Sequence, residues 1–250
     1  MRYAVLSDIH SNLEALTAVL DDLQSLQIDR YLCLGDVVGY GADPSACLAR
    51  LQSFDAVMVG GNHDLACIGK VDLERLNAAA CAAVVWTRDQ LSFTELDALR
   101  RLPLTETVEC FTLVHGTLRH PARFDYLWDA ADVVDSLAVC RTRFCLIGHT
   151  HQPLLAEYDR GRRRLVSLRT GTEAAAASTY LDEPDRVYLV NPGSVGQPRD
   201  GDPRASYAVI ETDARRIEVR RVPYDVPTAQ RKIRAAGLPE ILADRLAVGW

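Results

Sequence analysis

The chain opens on a short apolar run, residues 2–7, that ends in the polar cluster Asp8-Ile9-His10-Ser11-Asn12. A run of that length closed by polar residues predicts a buried strand. Ser11-Asn12-Leu13-Glu14 then has the spacing of a capping box, and Leu13, Leu16, Leu20 and Leu23 recur at helical spacing, so a helix is expected next. The unit repeats. Residues 31–34 read as a strand, and after a loop Asp43-Pro44 supplies an N-cap and a first-turn proline for a helix through Leu51. Residues 56–59 read as a third strand, followed by helical sequence from about 73 to 87. Repeated strand-helix alternation predicts right-handed crossovers and a largely parallel sheet, with chemistry on the loops beyond the strands' C-terminal ends.

A second capping box, Ser92-Phe93-Thr94-Glu95, predicts a helix that stops before Pro103. From Thr107 the pattern turns toward strands, at 110–114, 144–147, 154–158, 165–168, 187–190, 207–210 and 217–222. Asp159-Arg160-Gly161-Arg162 and Asp213-Ala214-Arg215-Arg216 read as hairpin turns. Residues 228–246 read as two short helices broken at Gly237-Leu238-Pro239. No solenoid repeat and no Gly/Ser/Pro linker divides the chain. The expectation is one α/β domain over residues 1–250 carrying two sheets, with C-terminal helices of about 226–250 packed on it.

Composition narrows the class. With 250 residues, 48% apolar and 25% charged, the chain can fill a sizeable core, which excludes disorder and a disulfide miniprotein. Its longest apolar run, 78–86, falls far short of the roughly 18 residues a membrane helix needs. The N-terminus reaches Asp8 before a signal-peptide apolar region could form, so a cytoplasmic protein without membrane partners is expected. Seven cysteines, odd in number, scattered and without a CxxC pair, read as reduced buried thiols. A net charge of -6 argues against general affinity for nucleic acid or anionic membrane.

Five of the six histidines sit in polar motifs that directly follow apolar runs: Asp8-Ile9-His10, Gly61-Asn62-His63-Asp64, His115-Gly116 and Gly148-His149-Thr150-His151. Gly35-Asp36 is placed the same way. Strand pairing would gather all of them at one rim. On extended backbone, Asp-x-His and His-x-His put both side chains on one side and so offer two ligands from one segment. Carboxylate, imidazole and amide oxygen suit manganese, iron, zinc or nickel, while the lack of thiolate argues against structural zinc. Seven candidate ligands exceed one tetrahedral ion and suit two ions sharing a carboxylate. Taken singly, His10 or His115 reads as a satisfied core or surface histidine, and Asp36 as a turn or helix cap. Five motifs all at strand ends favour the joint metal site.

With these motifs in this order, the chain resembles the calcineurin-like metallophosphoesterase superfamily. The spacing is also similar, with 24 residues between His10 and Gly35 and 24 between Asp36 and Gly61. Asn191-Pro192-Gly193-Ser194-Val195-Gly196 further resembles the small bacterial and archaeal phosphodiesterase branch. The resemblance implies a four-layer α-β-β-α sandwich with two central mixed sheets. It also implies that Asp8, His10 and His151 hold a first divalent ion, that Asn62, His115 and His149 hold a second, and that Asp36 bridges them. His63 matches the family's histidine that contacts the phosphate and protonates the leaving group. One departure is clear: protein Ser/Thr phosphatases carry Asp-Arg soon after the bridging aspartate, and this chain has Gly39-Tyr40 there. The phosphate-gripping arginine is missing from that position, and with it the partner carboxylate of the catalytic histidine, for which Asp64 is the candidate substitute.

The expected activity is a dinuclear metal-dependent phosphodiesterase acting on small or nucleotide-like phosphoesters, with a bridging hydroxide as nucleophile. A phosphomonoesterase or nucleotidase is the alternative within enzymes, and a scaffold that keeps the fold without the chemistry is the alternative outside them. A nucleic-acid substrate is compatible but less favoured, and the sequence leaves the oligomeric state and the native metal open. Arg160, Arg162, Arg163 and Arg164 read as a solvated hairpin tip, with a polyphosphate or nucleic-acid contact as the lesser reading. His120 reads equally as a pocket wall or an exposed loop residue. The 191–204 stretch reads as a tight turn followed by a lid or an ordinary loop.

Overall fold

The computed structural model describes residues 1–250 except 128, 175–177 and 181–182. The first third follows the alternation read from the sequence: β1 (Arg2–Leu6), α1 (Leu13–Gln24), β2 (Arg30–Cys33), α2 (Pro44–Ser53), β3 (Val57–Met58) and α3 (Asn62–Cys67). Then come α4 (Ala78–Gln90), α5 (Phe93–Arg101), β4 (Thr105–Val108), β5 (Phe111–Val114), α6 (Ala130–Val139) and β6 (Phe144–Leu146). The remainder is β7 (Pro153–Asp159), β8 (Arg164–Thr170), α7 (Gly171–Ala174), β9 (Ser178–Thr179), β10 (Arg186–Pro192), β11 (Ala205–Glu211), β12 (Arg216–Val222), α8 (Val226–Ala235) and α9 (Glu240–Asp244).

Among the described residues twelve strands form two mixed sheets of six, ordered β3-β2-β1-β11-β12-β9 and β4-β5-β6-β10-β7-β8. Strand periodicity explains the layering. Along β1, Tyr3 and Val5 point to one face and Ala4 and Leu6 to the other, as alternation requires. Tyr3 and Val5 meet Phe111, Phe144 and Leu146 of the second sheet, and this inter-sheet core is the centre of the molecule. Ala4 and Leu6 pack under Leu16 and Leu20 of α1 and Leu48 and Leu51 of α2. The outer face of the second sheet, with Cys145, Ala156 and Leu189, is covered by Val133 and Leu137 of α6. The result is the expected helix, sheet, sheet, helix order. Ile233, Leu242 and Leu246 at the C-terminal end pack with Tyr40, Ala80 and Ala83.

Several local expectations shift. The N-cap of α1 is Asn12, whose Oδ1 accepts from the Ala15 amide at 3.1 Å, and the Ser11 box does not form. Ser11 is in the left-handed region at φ 53° and gives its amide to the Val37 carbonyl, so it belongs to the loop. The 73–87 segment splits: Leu73–Arg75 is a 3-10 turn and Asn77 caps α4 through the Ala80 amide. Helix α6 was not read from the sequence because its capping box is Asp129 with Asp132, two carboxylates instead of hydroxyl and glutamate. The Ser92–Glu95 box forms as expected. All seven cysteines are free thiols, five of them buried. No helix among the described residues is long and apolar enough to cross a membrane.

Candidate metal centre

Parallel pairing puts the C-terminal ends of β1, β2 and β3 on one rim of the first sheet, and those of β5, β6 and β10 on one rim of the second. Backbone hydrogen bonds then lace the loops together. The Asp8 amide donates to the Gly35 carbonyl at 3.1 Å and the His10 amide to Asp36 at 3.0 Å. The Gly148 amide donates to the His115 carbonyl at 2.8 Å, and the His149 amide crosses between sheets to Asp8 Oδ2 at 3.0 Å. Gly148 permits that crossing, since a Cβ there would lie 1.9 Å from Ser7 Oγ.

The extended backbone expected for Asp-x-His and His-x-His is not what aims these side chains. Asp8, His10, Asp36, His149 and His151 all have positive φ, from 49° to 68°. Left-handed backbone is costly for residues with a Cβ and persists where surrounding contacts over-determine it, as at functional sites. Alternate left-handed residues, held by the loop hydrogen bonds, turn both members of each pair into the same space.

Three rings share one arrangement. Nδ1 of His10 faces the Val38 carbonyl at 3.2 Å, Nδ1 of His115 faces Leu34 at 2.8 Å, and Nδ1 of His151 faces Gln197 at 2.6 Å. A carbonyl can only accept, so each ring donates through Nδ1, and a neutral ring turns its Nε2 lone pair inward. His10 Nε2 and His151 Nε2 lie 3.1 Å apart, with His151 Nε2 3.2 Å from Asp8 Oδ1. On the other side His115 Nε2 lies 3.2 Å from Asn62 Oδ1, 3.1 Å from His149 Nδ1 and 3.3 Å from Asp36 Oδ2. Asp36 Oδ2 is also 3.7 Å from His10 Nε2, so this carboxylate stands between the two groups. Asp8 Oδ1 is buried without a hydrogen-bond partner. Converging lone pairs and an orphaned carboxylate oxygen are what a divalent cation would satisfy, so the donors fit the metals that the motifs imply.

The electrostatics agree. Burial opposes ionisation of Asp36, but His115, His63 and His10 outweigh it and hold the carboxyl well below the usual range. Asp8 is likewise held low against burial, chiefly by His151 and His115. Burial pushes His149 down to about 3 and lowers His10 and His151. For His115 burial works the same way, yet Asp36 and Asp8 hold it up to about 9. Two buried carboxylates held in the charged form thus demand positive charge from what surrounds them.

Asn62 and His63 start α3, with the His63 amide donating to Asp36 Oδ1 at 2.8 Å. His63 groups with His10 and Asp36 as closely as a ligand would. Its ring packs 4.4 Å from Tyr40 and its Nδ1 is buried without a hydrogen-bond partner. Asp64 is not the partner of that ring. Its carboxylate accepts from the amides of Asp36 (2.8 Å), Gly61 (3.0 Å) and Val38 (3.1 Å), which fixes the loop carrying Asp36.

Residues of the Asn191–Gly196 motif, to which the sequence assigned no site role, complete the surroundings. Asn191 donates to the Gly148 carbonyl and to Thr150 Oγ1, and Ser194 Oγ donates to the Asp8 carbonyl at 2.7 Å. Residues 191–198 are buried, so this part of the 191–204 stretch is scaffold beneath the candidate ligands and not a lid. The one sequence signal was an Asn-Pro-Gly turn placed directly after a strand. A cavity of about 540 Å³ opens beside Asn62, His63 and His149, walled by Tyr40, Phe124 and Tyr126. Tyr126 stacks on His149 at 4.0 Å. His120 is exposed and does not line this cleft. The register of β7 with β10 puts Arg160 and its neighbours at the strand ends opposite the ligands, in keeping with a solvated hairpin tip.

A four-layer sandwich with carboxylates and imidazoles gathered on one rim is the architecture of a metal-dependent α/β enzyme. Residues 1–215 match the calcineurin-like phosphoesterase superfamily domain. The chain is 39% identical over 250 residues to an uncharacterized protein of Methanocaldococcus jannaschii, covering 98% of this chain and 97% of that one. Its fold is similar to a crystal structure of a metallophosphoesterase from Sphaerobacter thermophilus, with 40% identity, TM-score 0.85 and coverage of 100% and 99%. A hypothetical protein from Pyrococcus horikoshii has the same fold at 20% identity and TM-score 0.79, over 100% and 98% of the two chains. The chain belongs to the calcineurin-like phosphoesterase superfamily, a family that binds divalent metals, and is a phosphoesterase hydrolase.

Proposed function

We propose that the protein is a dinuclear metal-dependent phosphodiesterase acting on small or nucleotide-like phosphoesters. The observation that carries this reading is the position of Asp36, whose Oδ2 stands 3.7 Å from His10 Nε2 and 3.3 Å from His115 Nε2, between two clusters of ligand atoms. Asp8, His10 and His151 would hold one ion, Asn62, His115 and His149 the other, with Asp36 shared; manganese, iron, zinc and nickel all suit these donors. Bound divalent ions supply Lewis-acid charge for phosphoryl oxygens and make water a better nucleophile near neutral pH.

The chain's own residues supply the rest. Asn62 contributes a neutral oxygen, so Asp8 and Asp36 are the only carboxylates among the proposed ligands and the loaded site stays net positive toward an anion. His63 borders the cleft and would give a proton to the departing oxygen. Burial brings His63 down to about 4 in the free protein, and the negative charge of a bound phosphoester beside the ring works against that shift. Tyr40, packed 4.5 Å from the His10 ring and 4.4 Å from the His63 ring, keeps water from one side of both. The cleft has room for substituents on the phosphate, which favours an ester with a sizeable leaving group.

The test is hydrolysis of an aryl phosphodiester and an aryl phosphomonoester with added manganese, with and without chelator. Faster chelator-sensitive cleavage of the diester is the expected result. Preference for the monoester would move the assignment to a phosphomonoesterase or nucleotidase. Absence of chelator-sensitive turnover on either would leave a non-catalytic scaffold.

A further inference from the structure

The loop after the bridging aspartate carries Gly39-Tyr40 and no arginine, yet a guanidinium reaches the same neighbourhood from another part of the chain. Arg199 lies just beyond the buried 191–198 segment. Its amide donates to the carbonyl of His151 at 3.3 Å, so its backbone is tied to a proposed ligand residue. Its Nη2 donates to Gln197 Oε1 at 2.9 Å and meets Tyr40 Oη at 3.4 Å, and the guanidinium carbon lies 5.8 Å from the Tyr40 ring centre. The same Tyr40 ring packs on His10 and His63. Arg199 is therefore one ring away from the proposed proton donor.

Three features mark this guanidinium as poised and not simply structural. Its Nε is buried without a hydrogen-bond partner. Among the described residues no carboxylate lies within ion-pair distance of it, although Asp200 next in sequence is paired with Arg221. The anchoring is firm, because the Gln197 carbonyl accepts from His151 Nδ1 at 2.6 Å and the Gly196 amide donates to the Asp8 carbonyl at 3.0 Å. A second cation is near: half-buried Arg245 feels, after burial, the charge of Arg199 as the main influence lowering its pKa.

We propose that Arg199, presented against Tyr40 by the loop that follows β10, grips a phosphoryl oxygen of the substrate in place of the arginine absent after Asp36. This rests on the phosphoesterase reading of the site. A planar guanidinium offers paired donors that match phosphoryl oxygens, and one with no carboxylate partner is free to turn a donor toward them.

The experiment uses the manganese-loaded protein with inorganic phosphate as probe, comparing wild type, Arg199→Ala, Arg199→Lys and Tyr40→Phe. Phosphate binding by calorimetry, competitive inhibition of aryl phosphodiester hydrolysis, metal content and melting temperature are measured for each. Arg199→Ala should weaken phosphate binding by about 10- to 100-fold, the range expected for losing a hydrogen bond to a charged group. It should raise KM in step, with metal content unchanged. Arg199→Lys should recover part of the affinity because it restores the charge without the fork, and Tyr40→Phe should have a smaller effect than Arg199→Ala. Unchanged phosphate affinity and KM in Arg199→Ala would overturn the assignment while wild-type hydrolysis still stood. Loss of metal in both Arg199 variants would overturn it too, by making the residue a support for His151. A wild type that neither binds phosphate nor turns over would bring down the phosphoesterase reading as well.

Discussion

The Nε2 atoms of His10 and His151 face each other at 3.1 Å, and each ring already commits Nδ1 to a backbone carbonyl. Two neutral rings so arranged repel until a cation sits between them, and a ligand that binds the folded state alone stabilises it by mass action, about 2.7 kcal/mol at 100 times its Kd. Added manganese should therefore raise the melting temperature in a concentration-dependent way and chelator should reverse it. Asp36→Asn should lose occupancy of both ions, since Asp36 is the proposed bridge. A melting temperature indifferent to metal, or two tightly bound ions in Asp36→Asn, would refute the dinuclear assignment.

His63 separates two roles. As proton donor it can be removed without disturbing the ligands, so His63→Ala should retain metal and fold while turnover of an aryl diester drops by roughly 10²- to 10⁴-fold. The grouping of His63 with His10 and Asp36 also allows a ligand role. Elemental analysis decides: loss of an ion in His63→Ala would make this residue a ligand.

Asp64 holds three backbone amides, those of Asp36, Gly61 and Val38, from a fully buried position. An asparagine has one acceptor oxygen where the carboxylate has two. Asp64→Asn should therefore lower stability by about 1–3 kcal/mol in denaturant unfolding. The pH profile of turnover should keep its shape. A changed profile without loss of stability would mean that Asp64 tunes His63 after all.

Away from the site, Asp22 of α1 accepts from Tyr207 Oη of β11 and from Arg220 Nε of β12 at 3.1 Å, pinning the helix to the first sheet. Burial works to raise its pKa, but the bonds from Tyr207 and Arg220 outweigh it and the carboxyl sits below its ordinary value of 3.8. A depressed folded-state pKa contributes stability above the unfolded value that is lost as pH falls through the folded one. Asp22→Asn should cost about 1 kcal/mol at pH 7, discounted for partial exposure. Chemical denaturation below pH 3.8 should show that gap closing. A gap that is the same at both pH values would show that the charge plays no part.

Much of the molecule was legible in order and type before any coordinates. Strand, loop and helix alternate where the apolar periodicity changes from two to about 3.6, and the polar motifs fall at strand ends because a buried strand must end where its partners do. Those placements, with the residue types themselves, marked seven candidate metal ligands, and the resemblance to the family added the role proposed for His63. Short helices were less legible: α3 hides inside the Gly-Asn-His-Asp motif, and α6 begins on carboxylates that also serve as turn residues.

What the linear order determined by itself is which residues are candidates for the chemistry and at which strand ends they lie, because local periodicity and side-chain type are properties of neighbours in sequence. Only the tertiary structure decided how they point and what supports them. Left-handed backbone at Asp8, His10, Asp36, His149 and His151 is held by loops far apart in the chain. Asp64 turned out to hold backbone amides and not His63, and Arg199 reached Tyr40 across 159 positions. Such relations depend on which loops two sheets bring together at one rim, and that is settled by long-range packing, which no short window of sequence contains.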